Sequence, residues 1–367
     1  MKTAASVPSD LRRYLSENLT TYRLFKYLRR KLFVLLTGQH RLIVSHIPDD
    51  AKRILWINYS APSLGDALMD TSARVLLADR QVDLLTSRKN RELFVDDRYV
   101  NTAYDETQLK AVRDKRYDLC IVDAFSPRSL NLKRQVCPST PMVGLYGFIN
   151  GYEIHRTLFS FHRLSALLRQ NAEPPSGIRL SLAKRGGESL GVGGSRFYSK
   201  RQVQSICFGI GGEWEFRTYR RWAECISLVH SLMPANWHIK LVGSKNGIAD
   251  GSKIESKCQF LGLRRVSNFV GKTSVPELMD ILRSSAIYVG ADGGTWHIAS
   301  ALGLPSVVLF ADCQLFDKDG RRVGREAPEQ ACTCFHADEE VNEIPPDRVA
   351  SAVMQIIDPL EVSDRKA

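Results

Sequence analysis

The sequence predicts an α/β protein of two domains, each a parallel sheet flanked by helices, on three observations. Residues 287–310, IYVGADGGTWHIASALGLPSVVLF, read as strand, glycine loop, helix and strand, the repeating unit of a parallel sheet. A second such unit opens at Ile54, with a short apolar strand, a Pro62 and Gly65 turn, a helix over Ala67 to Leu77 and a strand over Gln81 to Leu85. Between the two halves, Glu173 to Lys200 is rich in Pro, Gly, Ser and basic residues and has no sustained apolar periodicity, which marks a linker. In such sheets ligands lie beyond the carboxyl ends of strands, where small residues let backbone N–H groups approach a phosphate or a sugar.

Composition sets the class. With 367 residues, 44% hydrophobic and 25% charged, the chain is long enough to bury two cores and is globular rather than disordered or fibrous. No apolar run has the length to span a bilayer, and the N-terminus lacks the pattern of a secretory signal, so a cytoplasmic location is expected. The eight cysteines are scattered, with Cys120 and Cys207 in expected strands and Cys225 in an expected helix; this suits reduced, buried thiols better than a disulfide framework. Cys332, Cys334 and His336 come nearest to a metal pattern, but no second Cys pair accompanies them, and no metal or cofactor is expected.

The net charge of +11 is unevenly spread: residues 1–45 hold nine Lys or Arg against Asp10 and Glu17. Such a balance favours a polyanion, an anionic membrane or a phosphorylated substrate. From Leu11 the apolar residues Leu15, Leu19, Tyr22, Phe25, Leu28, Leu32 and Leu35 recur every three or four positions with basic residues between them, an amphipathic basic helix. It either lies on an anionic inner leaflet or packs on its own domain with a solvated basic face.

Asp66 opens the helix after the first strand, where a carboxylate either caps the helix or reaches a ligand. Next, Tyr117 to Phe125 reads as a buried strand ending at Asp123, followed by a basic loop with Arg128, Lys133 and Arg134 suited to carboxylates or phosphates. Tyr152 to Leu168, with His155, Arg156, His162 and Arg163, reads as a helix to which no role is assigned. The second domain opens with strand Ser205 to Phe208, runs into Gly209, Gly211 and Gly212, and continues as a helix from about Arg220 to Leu232. Such a loop suits phosphate, but Trp214 or Glu215 stands where a dinucleotide fingerprint needs its third glycine. A strand ends at Gly243, Ser274 and Glu277 form a capping box, and Asp292, Gly293, Gly294, Thr295 and His297 line the loop and helix start after Val289. Beyond Phe310 the chain reads as irregular to Pro345-Pro346, with a last short helix over Arg348 to Ile357.

Gly271 to Phe310, beginning GKTSVPELMDILRSSAIYVGADGG, resembles the C-terminal signature of the bacterial lipopolysaccharide heptosyltransferases, glycosyltransferase family 9. Asp292, Gly294, His297, Ala301, Leu302, Gly303 and Pro305 match it, while Gly293 stands where the family usually has Thr. Ser63, Leu64, Gly65 and Asp66 resemble its second signature, although Asn58 or Tyr59 replaces a frequent Arg, so one basic contact is missing or comes from elsewhere. The resemblance implies a GT-B architecture, two Rossmann-like domains facing each other across a cleft, and transfer of heptose from ADP-heptose to a lipopolysaccharide acceptor of the Kdo-lipid A type. By the same resemblance Asp66 is the catalytic base. Gly211, Gly212, Arg217, Lys272, Thr273 and the Asp292–Thr295 loop with His297 hold the donor, with Arg220 or Arg221 as substitutes for Arg217. Ser63, Gly65, Arg128, Lys133 and Arg134 face the acceptor, and the final helix often crosses back to the first domain. The expected division is a basic helical extension over 1–45, an acceptor domain over 46–175, a linker over 176–200, a nucleotide-sugar domain over 201–345 and a helix and tail over 346–367. The expected partners are donor, acceptor and anionic inner-membrane surface, with no nucleic acid. Rival readings are a transferase for another nucleotide sugar or a protein acceptor, as in autotransporter heptosyltransferases, and a non-catalytic peripheral membrane protein.

Overall fold

A computed structural model of the chain describes residues 21–148, 156–170, 204–311 and 332–366. These fall into two compact units, the first holding the described residues up to 170 and the second those from 204. The expected linker and residues 11–20 of the basic helix lie outside the described residues.

In the first unit, β1 (Arg53–Asn58), β2 (Gln81–Thr86), β3 (Thr102–Tyr104), β4 (Leu119–Val122) and β5 (Met142–Gly144) pair in parallel in the order β3-β2-β1-β4-β5. The runs Ile54–Ile57 and Leu119–Val122 are apolar throughout and wholly buried, because helices cover a parallel sheet on both faces. Helix α1 (Thr21–Leu36) precedes the sheet, α2 (Leu64–Asp70) follows β1, α3 (Leu109–Arg113) precedes β4, α4 (Pro127–Val136) follows it, and α5 (Arg156–Leu167) closes the unit. Leu55, Ile57, Leu85, Val122, Leu130 and Met142 form the core, which Val34 of α1 joins.

The second unit has β6 (Ser205–Gly209), α6 (Trp222–Leu232), β7 (His238–Val242), α7 (Ile248–Phe260), β8 (Val266–Asn268), α8 (Val275–Arg283), β9 (Ile287–Ala291), α9 (Gly294–Ala301), β10 (Ser306–Ala311), β11 (Cys332–Ala337) and α10 (Pro346–Lys366). Its parallel sheet runs β11-β10-β9-β6-β7-β8. Trp222, Trp237, Ile239, Leu241, Val289 and Leu309 centre the core. In each sheet the strand order reverses once, between β1 and β4 and between β6 and β9, and at such a reversal the outgoing loops part and leave a crevice.

Several elements differ from expectation. The helix after Asp66 stops at Asp70, and Ser72–Leu77 continues as a 3-10 turn. Thr71 and Ser72 cause the break: their hydroxyls donate to the carbonyls of Ala67 (2.7 Å) and Met69 (2.8 Å), a bond that competes with the helical ladder. Arg128, Lys133 and Arg134 sit on helix α4 rather than on a loop, behind the N-cap Ser126 and with Pro127 in the first turn, both helix-start signals. The stretch after Phe310 contains strand β11, in register with β10 from Ser306–Cys332 to Ala311–Ala337. The last helix spans Pro346–Lys366, and Val349, Ala350, Val353 and Ile357 bury it in the second unit's core. Among the described residues no helix is long and apolar enough to cross a membrane.

A buried ion pair braces the turn after α2. Arg74 donates from Nε to Asp97 Oδ1 (3.1 Å) and from Nη2 to Oδ2 (2.6 Å), both side chains being almost wholly inaccessible. Removing one partner strands the other's charge, at a cost of about 3–5 kcal/mol. Asp97→Ala is therefore expected to lower the urea-unfolding free energy of the first unit by about that amount, whereas the exposed Asp280→Ala in the second unit, paired with Arg283, shifts it by less than about 1 kcal/mol.

Candidate active site

In the second unit four loops gather at the carboxyl edge of the sheet. Gly211, with φ +87°, sits so close to Gly247 that a Cβ would lie 2.8 Å from its Cα, and Asn246 donates to Gly212 O (2.8 Å); the loops after β6 and β7 are thus in contact. Gly271 N–H donates to Gly243 O (2.9 Å), which brings Lys272 and Thr273 to the same edge. Lys272 is exposed and donates to Asn268 O (3.0 Å); Thr273 is half-buried.

The loop after β9 begins at Asp292, whose N–H donates to Leu309 O (2.9 Å). Its side chain is 4% exposed. Arg217 Nη2 lies 3.7 Å from Asp292 Oδ2, and His297 Nε2 lies 3.6 Å from Oδ1: a cation and an imidazole flank one buried carboxylate, at ion-pair range. Gly293, Gly294 and Thr295 form the half-buried turn between Asp292 and His297, and Gly293 is extended at φ 174°. A Cβ on Gly293 would meet nothing nearer than 3.9 Å, so the threonine usual in the resembled family fits there. Of the three arginines considered for the donor, only Arg217 is beside Asp292; Arg220 pairs with Glu215 and Arg221 with Glu224 on the surface.

Two further glycines explain how the loops leave the sheet. The buried Tyr288 hydroxyl lies directly over Gly209 and Gly290, where any Cβ would collide with it. Burial pushes its pKa above the usual phenol range, with Cys207 and Asp292 adding to the shift, so the group beneath both loops is a neutral phenol.

In the first unit, Ser63 caps α2, accepting from Asp66 N–H (3.2 Å) while its hydroxyl donates to Asp66 Oδ2 (2.6 Å). Gly65 is buried, and Asp66 is half-buried. Arg156, from α5, donates through Nη1 to Asp66 Oδ1, and through Nε (2.5 Å) and Nη2 (2.8 Å) to both oxygens of Asp70. Asp70 also accepts from Tyr146 Oη (2.5 Å) and Asn58 Nδ2 (3.2 Å). Burial works against the guanidinium's charge, but Asp70, Tyr146 and Asp66 outweigh it and hold the Arg156 pKa well above its usual value. Arg156 thus brings a guanidinium to Asp66, where Asn58 and Tyr59 replace the expected arginine. Sequence reasoning missed it: Arg156 lies 90 residues away along the chain, on a helix without a motif.

The loop before Asp66 is pinned by buried Asp123, which accepts from Ser60 N–H (2.8 Å) and Ser129 Oγ (2.7 Å); burial raises the Asp123 pKa despite these bonds. The basic trio of α4 divides. Arg128 is exposed, its guanidinium 5.4 Å from the Tyr59 ring centroid. Arg134 is exposed a turn and a half further on. Lys133 corrects the expectation of a surface cation: its ammonium is buried and donates to Gln39 Oε1 (3.0 Å) and Pro138 O (2.9 Å), with its pKa lowered by burial. The helical spacing of Lys133 with the apolar Leu130 and Val136 on α4 was the available signal.

Among the described residues no group of three His, Cys, Asp or Glu is placed to hold a metal ion. The side chains of Cys332, Cys334 and His336 lie outside the described ones, as does Asp317-Lys318-Asp319, an Asp-x-Asp triplet in the sequence.

The family model of glycosyltransferase family 9 (heptosyltransferase) matches residues 172–315. No curated sequence matches the chain. Among solved structures, E. coli ADP-heptose lps heptosyltransferase II aligns over 84% of this chain and 99% of its own at 18% identity and a TM-score of 0.63. A family 9 glycosyl transferase from Veillonella parvula aligns over 85% and 99% at 14% identity and 0.65, and E. coli heptosyltransferase WaaC with ADP over 83% and 99% at 15% identity and 0.62.

The two kinds of glycine should respond oppositely to added carbon. Gly290→Ala drives a methyl into the Tyr288 hydroxyl and is expected to destabilise the second unit by about 1–3 kcal/mol, whereas Gly293→Thr is expected to stay within about 0.5 kcal/mol of the parent; thermal or urea unfolding of both variants reads the difference.

Proposed function

We propose that the chain is a member of glycosyltransferase family 9, whose model matches residues 172–315, and that it is an inverting heptosyltransferase, moving heptose from ADP-heptose to the inner core of a lipopolysaccharide acceptor of the Kdo-lipid A type. Its fold is GT-B, built of two Rossmann-like units. The observation that carries the reading is the meeting of Arg217, Asp292 and His297 where the second sheet reverses its strand order. E. coli WaaC is known with ADP and with ADP-2-deoxy-2-fluoro heptose, which supports an ADP-linked donor here.

In this reading the second unit takes the donor. Backbone N–H groups at Gly211 and Gly212 and the charges of Arg217 and Lys272 meet the pyrophosphate. Asp292 accepts from sugar or ribose hydroxyls, since a carboxylate against phosphate would be repelled. Thr273, Gly293, Gly294, Thr295 and His297 shape the same pocket, with His297 and Arg217 holding the Asp292 carboxylate in place.

The first unit activates the acceptor. A carboxylate offers about four lone-pair sites; Ser63 and Arg156 take one on each oxygen of Asp66, which leaves room for an acceptor hydroxyl. As the acceptor oxygen bonds to the anomeric carbon, its proton passes to Asp66. The bond from that carbon to the β-phosphate oxygen breaks with inversion, through an oxocarbenium-like transition state, and ADP leaves with its charge met by Arg217 and Lys272. Arg156 orients Asp66, and Arg128 and Arg134 supply positive charge for acceptor carboxylates or phosphates. The reaction belongs on the cytoplasmic face of the inner membrane, against an anionic surface.

Calorimetry with ADP-heptose against UDP- and GDP-sugars tests the donor: ADP-heptose alone should bind, and Arg217→Ala should weaken ADP about tenfold or more. Asp66→Asn is expected to lower kcat by at least about a hundredfold with ADP affinity unchanged. Arg156→Gln should lower kcat while also leaving ADP affinity as it was. Turnover by Asp66→Asn above about a tenth of the parent rate overturns the base assignment.

A further inference from the structure

Helix α1 wears its apolar side outward. Arg30 and Val34 are buried against the first unit, and Tyr27 and Phe33 are half-buried. Leu24, Phe25, Leu28, Leu32, Leu35 and Leu36, in contrast, are 38% to 77% exposed. At about 100° per residue these six fall within an arc of roughly 120°. Exposed Arg29 borders the arc on one side and exposed Lys31 on the other. A helix that serves only its own domain turns such a stripe inward; here the inward side includes an arginine and the stripe faces away.

Beside the stripe runs a groove of about 550 Å³ between α1 and the loops leaving β1 and β4. Leu32 and Leu36 give it an apolar wall, Ser60 and Pro127 line the far side, and Arg29 and Arg128 stand over it with one guanidinium each. An apolar wall with two cations suits an amphiphile with an anionic head. The surrounding charge selects the partner: residues 1–45 carry nine basic side chains against two acidic ones, complementary to an anionic leaflet. A second copy docked face to face would bring Arg29, Lys31 and Arg128 against their own kind.

We propose that α1 lies in the interface of an anionic bilayer, with its leucine face among the acyl chains and Arg29 and Arg128 holding the phosphate of a lipid headgroup in the groove. This deepens the transferase reading, on which its purpose rests. Ser60 of the groove lies in the loop between β1 and α2, the helix that Ser63 caps and that carries Asp66 in its first turn, so a headgroup held there stands beside the helix start that carries the base, and a lipid-borne acceptor is presented without leaving the membrane.

Co-sedimentation of the full chain with vesicles tests this without any transfer assay. The chain should bind mixed phosphatidylcholine and phosphatidylglycerol vesicles and bind pure phosphatidylcholine more weakly. Leu28→Glu/Leu35→Glu, on the exposed stripe, should weaken binding at least about tenfold, and Arg29→Glu should abolish the preference for phosphatidylglycerol. Far-UV circular dichroism and urea unfolding of the same samples show whether the first unit of the double variant is folded, and if it is not, Leu28→Ser/Leu35→Ser decides in its place; calorimetry with ADP on the parent chain tests the second unit separately. Failure of the parent chain to bind the mixed vesicles, or equal binding by a folded variant, overturns the proposal. So does a lipid-free dimer that the double variant converts to monomer, because the stripe then belongs to a second copy. Vesicle binding without ADP binding overturns the transferase reading alone.

Discussion

Parallel pairing of β6 with both β7 and β9 forces the loops that leave these three strands to one edge of the sheet, and the chemistry of the second unit follows from that constraint. The loops can crowd there only because the chain supplies glycine at each close approach. Gly211 makes way for Gly247, and Gly209 and Gly290 make way for the Tyr288 hydroxyl. Arg217 and Asp292 stand 75 positions apart in sequence, yet they meet because the strands that feed their loops are neighbours. The first sheet repeats the arrangement, with Asp66 after β1 and Asp123 after the adjacent β4.

The electrostatics around Asp66 follow a different logic. Two carboxylates, Asp66 and Asp70, share one guanidinium, and Tyr146, Asn58 and Ser63 contribute only neutral donors. Asp70, the more deeply buried carboxylate, takes two of the three guanidinium contacts. A carboxylate with no anchor would lack a fixed direction; the shared arginine gives one to Asp66 and Asp70 alike.

Much of this was legible in the sequence, for identifiable reasons. Apolar runs such as Ile54–Ile57 and Ile287–Val289 have no other use than burial in a parallel sheet, and the Ser274–Glu277 capping box is a local device that the structure shows as written. The loops after β1, β6 and β9 were placed because glycine, aspartate and proline following an apolar run mark a turn. What stayed hidden depends on distance or on burial. Arg156 meets Asp66 only through folding. Lys133 looks in sequence like its exposed neighbours Arg128 and Arg134, and only the helical phase of α4 separates it from them. Strand β11 has little alternation of its own and gains its conformation by pairing with β10. The helix after Asp66 ended early because two hydroxyls found nearby carbonyls.

The way α1 is attached has a consequence of its own. Its middle is held by Arg30, which donates to Phe148 O (2.9 Å), and by Val34 in the core; just beyond its end, Gln39 receives the buried Lys133 ammonium, and Val44 N–H donates to Met142 O (2.9 Å) beside the last strand of the sheet. With so many fastenings the helix is a bracket, not a leash. In the membrane-bound form proposed above, whatever plane its leucines settle against would also fix the pitch and roll of the domain behind it, so that the height of Asp66 over that plane is written into the body of the protein rather than left to diffusion.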